Sequence, residues 1–266
     1  MQSGQVNFEI MIKIDLKNYC DYICYAENCR YGKVYPLSIA EGYQQGDIYV
    51  NSISSTKNVL FWHFSGFAFI SGEYNRSFLE SVYDIISDKN GTNPRRFILF
   101  ADEQIMSFFE AKGDIDIERR FFFGFENKTF NKSVALPSDC ELKPVDKNLL
   151  SKIKGRITPC FSWDNADEFL SKGKGYCVVC GEEVTAWAFS SAVSSNEIDI
   201  GVETAEKYQH KGFALAVSTA MIQYILAQKK APVWACHSKN LTSAKLAKRS
   251  GFHKISECYV IKSKDT

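Results

Sequence analysis

Residues 197–225 limit what this chain can fold into more than any other stretch. Glu197-Ile198-Asp199-Ile200-Gly201-Val202-Glu203 alternates acidic or small residues with β-branched ones. That period predicts a half-buried strand with Glu197, Asp199 and Glu203 on one face and Ile198, Ile200 and Val202 on the other. A short basic turn follows, Tyr208-Gln209-His210-Lys211-Gly212-Phe213-Ala214, and runs directly into an apolar-periodic segment. Phe213, Val217, Ala220, Met221, Tyr224 and Ile225 recur at spacings of three and four, which predicts a helix over about 212–229 with one apolar stripe. In a strand–turn–helix unit, the turn's free N–H groups and the positive end of the helix dipole both face the crevice beyond the strand. That is a place for an anion. Gly212, with no Cβ, lets the anion approach the backbone.

The segment after the helix sharpens this reading. Pro232-Val233-Trp234-Ala235-Cys236 reads as a short strand, and Asn240, Ser243, Leu246, Gly251 and Phe252 follow at fixed spacing. Gln209, Gly212 and Ala214 form a Q-x-x-G-x-A pattern, which by itself also suits an ordinary helix N-terminus. Together with N-x-x-S-x-x-L…G-F, it resembles the GNAT superfamily of N-acetyltransferases over about 195–262. The tail is most similar to a bacterial GNAT acetyltransferase subgroup with a long N-terminal extension.

The resemblance implies an α/β (α+β) fold, a mixed and mostly antiparallel GNAT sheet flanked by helices. It also implies direct transfer of acetyl from acetyl-CoA to the primary amine of a small molecule in a ternary complex, with no metal. The pyrophosphate would rest on the backbone of Gln209, His210, Lys211, Gly212, Phe213 and Ala214. The pantetheine arm would lie along Val202 and Thr204, with Asn240 and Ser243 beyond the next strand. A carboxylate on the 197–203 strand would take the amine's proton, with Glu203 ahead of Asp199 and Glu197. The chain departs from the family at one point. The tyrosine expected seven residues after Asn240 is Ala247, so the usual proton donor to the departing thiolate is missing. Ser243, Cys236 or His237 are the candidate substitutes, or the thiolate leaves unaided, as its low pKa allows. The alternative function is a CoA-binding sensor or interaction module without catalysis. Nucleotide binding at the same turn lacks the Lys-Ser/Thr pair of a P-loop.

Composition sets outer limits. The 266 residues exceed one average domain, and an apolar fraction of 45% suffices for a packed core. A net charge of +1 gives no broad basic field for nucleic acid. Lys245, Lys248 and Arg249 read as a solvated helix face. With neither a signal peptide nor an apolar run of membrane-spanning length, the expectation is a cytoplasmic protein, monomeric or homodimeric. Its nine cysteines are then expected as thiols. Cys177 and Cys180, three apart in a strand-like run, point to opposite faces and cannot share a metal ion.

Periodicity lapses over 127–139, which predicts a linker between an N-terminal α/β partner domain (1–126) and the acetyltransferase domain (140–266). In the second half, strands are expected over 141–145, 175–180 and 184–190, the last two as a hairpin. Asp146 and Asp164 are the expected helix caps. In the first half, strands over 59–63, 67–70, 96–101 and 121–125 alternate with helices near 78–86 and 104–111. That order echoes a second, degenerate copy of the same fold without the glycine turn. Phe161, Trp163 and the run Phe61-Trp62-His63-Phe64 read as core, or else as the lining of an acceptor pocket.

Overall fold

A computed structural model describes residues 11–126 and 133–264. The chain forms two compact units, one from the described residues up to Arg119 together with those from Cys258, the other from Arg120–Glu257. The break expected at 127–139 falls partly on residues outside those described.

In the first unit, β1 (Ile12–Lys13) leads through a helical segment ending in α1 (Ile23–Glu27) and through α2 (Val34–Ala40) to β2 (Gly46–Val50), β3 (Asn58–His63) and β4 (Phe67–Gly72). These strands pair antiparallel in that order. Helix α3 (Arg76–Ser87) crosses over to β5 (Ile98–Ala101), which runs parallel to β4. Asn75 caps α3 by accepting from the Phe78 N–H, and Asp102 caps α4 (Glu103–Glu110) by accepting from the Ile105 N–H. A long strand, β6 (Ile115–Gly124), then leaves this unit and enters the second.

The second unit repeats the order. Strand β7 (Cys140–Pro144), α5 (Lys147–Lys152) and α6 (Ala166–Lys172) precede the antiparallel strands β8 (Gly175–Cys180), β9 (Glu183–Val193) and β10 (Glu197–Thr204). Helix α7 (Phe213–Ala227) crosses to β11 (Ala231–His237), parallel to β10, and α8 (Leu241–Arg249) leads to β12 (His253–Ser263). Each sheet takes its sixth strand from the other half of the chain. Tyr259, Val260 and Ile261 of β12 pair with β5, while Arg120 to Phe123 of β6 pair with β11.

Strand β3 is buried along its whole length, because both faces of the first sheet are covered. Leu60, Trp62, Ala68, Ile70 and Leu99 pack with Phe78, Leu79 and Val82 of α3 and with Ile105 and Phe109 of α4. On the other face Tyr35 of α2 stacks on Phe69, which stacks on Phe100, and Tyr35 meets Phe67 and His63 edge-on. The run 61–63 is therefore core. Helix α7 is buried on nearly all sides through its first half rather than along a single stripe, since it packs on β8, β9 and β10 and also meets α8.

Two expectations are corrected here. Asn165, not Asp164, caps α6, its side chain accepting from the Glu168 N–H. Cys140 and Cys180, directly opposed across β7 and β8, are joined as a disulfide, so these two are not thiols. The other seven cysteines are free, and Cys177 is buried on its own face.

His63 is fully buried, its Nδ1 accepting from the Ser65 N–H, and burial beside Arg95 lowers its pKa from 6.5 to about 3. The unfolded chain therefore binds a proton that the folded chain refuses, and stability falls as pH drops below the ordinary imidazole value. His63→Leu should remove roughly 2 kcal/mol of the acid-side loss between pH ~6.5 and ~5. Denaturant titrations of both proteins at the two pH values check this, and equal slopes against pH would disprove it.

Candidate active site

The end of the parallel ladder between β10 and β11 creates the site. Pairing runs from Glu197↔Ala231 through Ile198↔Pro232 to Asp199↔Val233 and stops. At the same level β9 carries one extra residue, Ser191, since Asp199 faces Ala192 and Ile200 faces Ser190. Such a bulge bends and twists the pair it interrupts. Beyond it, Ile200 to Thr204 stay with β9, whereas Trp234 to His237 pair with β6 on their other side. The two strands part. Their inner edges carry backbone groups that an extended ligand can pair with as an added strand would.

The turn lies just past the open end of β10. Gln209 is extended, His210 has a φ of 64° and Gly212 a φ of 84°, so the backbone turns left-handed twice before α7 begins. Gly212 is required by that φ, and the space where its Cβ would stand is open for at least 4 Å. Helix α7 has no side-chain cap, and its first internal acceptor, the Gly212 carbonyl, serves Leu215 and Ala216. The N–H groups of His210, Lys211, Gly212, Phe213 and Ala214 find no acceptor among the described residues. Five donors at the positive end of a fifteen-residue helix can together receive an anion.

Nearby charges are arranged around Tyr208. Its hydroxyl and the Lys207 ammonium both donate to Glu183 Oε2, at 2.8 and 2.6 Å, which holds the Glu183 carboxyl below the usual carboxylate range. Lys211 sits over the Tyr208 ring at 4.9 Å and forms no ion pair among the described residues. It is the cation left to meet an anion in the turn.

The three strand carboxylates occupy different environments. Glu197 and Asp199 lie in the closed, ladder-paired part of β10, and Asp199 is buried. Glu203 lies at the open end, opposite Trp187 of β9. Its Oε2 accepts from the Ile157 N–H at 2.7 Å, and the Trp187 indole donates to the Ile157 carbonyl at 2.7 Å. One residue of the loop between α5 and α6 is thus gripped through both its N–H and its carbonyl. Gly155 makes the close approach possible, because a Cβ there would stand 2.4 Å from Glu203 Oε2 and 2.5 Å from the Trp187 ring. Nothing in the sequence flagged this loop. Its only signal was a glycine flanked by Lys154 and Arg156.

Thr204 Oγ1, at the end of β10, is buried without a hydrogen-bond partner among the described residues. Asn240 caps α8, its Oδ1 accepting from the Ser243 N–H, which leaves its amide N–H groups for another partner. Ser243 Oγ accepts from the Trp234 indole. Cys236 is buried, and burial raises its thiol pKa, so it stays protonated and suits core packing rather than nucleophilic attack. Ala247 is fully buried in α8. Trp163 is core, its indole donating to the Ser190 carbonyl. No cluster of His, Cys, Asp or Glu that could hold a metal ion occurs among the described residues, and none of their helices is long and apolar enough to cross a membrane.

Known proteins share this fold. The model of the family described as GNAT acetyltransferase matches residues 32–261. An uncharacterized N-acetyltransferase of Bacillus subtilis (strain 168), YdfB, is 26% identical over 234 residues, spanning 86% of this chain and 89% of its own. A GCN5-related N-acetyltransferase-like protein from Streptococcus suis 89/1591 superposes with a TM-score of 0.72 at 22% identity, over 94% of this chain and 100% of its own. A tandem GNAT protein from the clavulanic acid biosynthesis pathway does so with a TM-score of 0.66 at 10% identity, over 96% and 98%.

The grip on Ile157 is testable through Gly155. Gly155→Ala should lower stability by about 1–3 kcal/mol, since the new methyl overpacks against a carboxylate and an indole. In a Glu203→Ala background that loss should shrink, because one of the two obstructions is gone. A double-mutant cycle read by denaturant unfolding decides it. Strictly additive losses would mean that the two residues do not meet.

Proposed function

The chain belongs to the GNAT acetyltransferase family and is an N-acetyltransferase; from that premise we propose that it takes acetyl from acetyl-CoA and passes it to the primary amine of a small molecule by direct attack. The observation that carries this reading is the coincidence of two features at one end of β10: parted strand edges and a turn with five unpartnered N–H groups.

The residues divide the work as follows. Backbone N–H groups of 210–214, with Lys211 beside them, hold the pyrophosphate; the left-handed Gly212 keeps the approach open. The inner edge of β10 at Val202 and Thr204 aligns the pantetheine arm, and the orphaned Thr204 hydroxyl supplies one further polar contact. Asn240 and Ser243 mark the opposite wall, the Asn240 amide donating while its oxygen caps α8. Glu203 is the base: one oxygen is fixed by Ile157, and the other can receive the proton that the amine must lose. The nitrogen lone pair then attacks the thioester carbon, the C–N bond forms as the C–S bond breaks, and CoA departs as a thiolate. No tyrosine is needed at Ala247, since a thiolate leaves readily near neutral pH. The reaction is assigned to the part of the chain expected as the acetyltransferase domain, 140–266, and to a soluble, cytoplasmic setting without nucleic acid.

Acetyl-CoA should raise the melting temperature of the protein, and a panel of primary amines should release free CoA, read with a thiol-reactive dye. Thermal protection without CoA release from any amine would favour a CoA-binding sensor. Gly212→Val, forced into the left-handed region at a strain of roughly 1–2 kcal/mol, should raise the KM for acetyl-CoA by about tenfold and leave the amine KM unchanged. An unchanged acetyl-CoA KM would remove the turn from the site.

A further inference from the structure

The first unit has its own version of the parted strands, furnished differently. Strands β4 and β5 pair in parallel from Phe67↔Ile98 to Phe69↔Phe100 and no further. The cleft opened there, about 190 Å³, is lined by Phe69, Ile70, Ser71, Phe100, Asp102 and Ile105 and by Cys29, Arg30 and Tyr31 from the segment between α1 and α2. The turn into α3 offers no phosphate cradle, because the Asn75 side chain already takes the Phe78 N–H. At the cleft Asp102 Oδ2 receives the Arg30 guanidinium at 3.2 Å and the Tyr74 hydroxyl at 2.8 Å. The Asp102 side chain is 14% exposed and that of Arg30 is 70% exposed, so the pair is anchored at one end only. Ion pairs of this kind are weak and exchange readily. Deeper in, Ser71 is 3% exposed. Its Oγ lies beside the buried Cys29 thiol, a weak partner, and has no other hydrogen bond among the described residues.

These features describe a ligand. It carries an anionic and a cationic group close together, because the cleft presents one fixed carboxylate and one mobile guanidinium side by side. It has an apolar portion, because Phe69, Ile70, Phe100 and Ile105 form the walls. It is small. We propose that this cleft binds an α-amino acid with an apolar side chain, its ammonium on Asp102 and Tyr74, its carboxylate on Arg30, and its side chain between the parted ends of β4 and β5. A buried hydroxyl with only a thiol beside it is better satisfied once a polar ligand enters, and Ser71 is such a hydroxyl. The first unit thereby becomes a binding module in its own right, independent of whether the second unit uses acetyl-CoA as proposed above.

The test uses the full chain without acetyl-CoA, titrated calorimetrically with L-leucine, L-methionine and L-phenylalanine. Two leucine analogues serve as controls, isopentylamine without the carboxylate and 4-methylpentanoate without the amine. At least one amino acid should bind saturably, and both analogues should bind at least about tenfold more weakly, since each lacks one charge-assisted contact. Arg30→Met and Asp102→Asn should each weaken the amino acid by a similar factor. Asn is itself a good cap and keeps α4 intact, and Arg30 is exposed, so both variants should keep the parent's melting temperature; if Asp102→Asn does not, Arg30→Met decides alone. Glu203→Gln should leave binding unchanged. No saturable binding of any of the three amino acids, equal binding of the amine, or binding that survives Arg30→Met but is lost in Glu203→Gln would each overturn the assignment.

Discussion

The last hydrogen-bonded pair between two parallel strands, Asp199 with Val233, is the constraint on which the second unit depends. Had the ladder continued, β10 and β11 would form an uninterrupted sheet and the turn after β10 would face protein rather than space. The extra residue in β9 and the diversion of β11 onto β6 end it at a defined level. Everything of chemical interest then follows from position along β10. Of the carboxylates before the break Asp199 is buried and Glu197 half-buried, and the one after it reaches the loop at Ile157. Unpartnered donors gather where the strand gives way to α7.

The features read most easily from sequence were those set by local rules. Alternation placed β8, β9 and β10 within a few residues, three-and-four spacing placed α3 and α7, and Gly212 marked the turn before α7, whose left-handed backbone only the structure shows. The failures have physical reasons. Asp164 and Asn165 are both capping residues, and which one serves depends on where the chain enters α6. The Cys140–Cys180 bond depends on strand register, which residue spacing alone does not set. The grip of Glu203 and Trp187 on Ile157 joins residues 46 and 30 apart in sequence, and no local pattern encodes it. For the same reason the cleft at Arg30 and Asp102, 72 residues apart, was invisible.

The echo of one fold in both halves is plain in topology: four antiparallel strands, a crossover helix, a parallel fourth-to-fifth pairing and a further helix occur twice. The same framework has been fitted out twice with different side chains. One copy keeps a glycine where the crossover helix starts, the other an asparagine that satisfies the helix from within. A difference in residue type at one position accompanies an uncapped helix start in one unit and a capped one in the other.

The exchange of sixth strands reaches beyond the folded state. Strand β5 is completed by residues 259–261, so as the chain is made, the first unit keeps an open edge until those residues have emerged. Unpaired edges of apolar strands invite association with other chains. The partner that ends the wait lies more than 150 residues downstream of β5, so closure is a long-range event and correspondingly slow. Neither unit can be cut out as a contiguous piece without losing a strand, and the order of synthesis sets how long the edge of β5 stays unpaired.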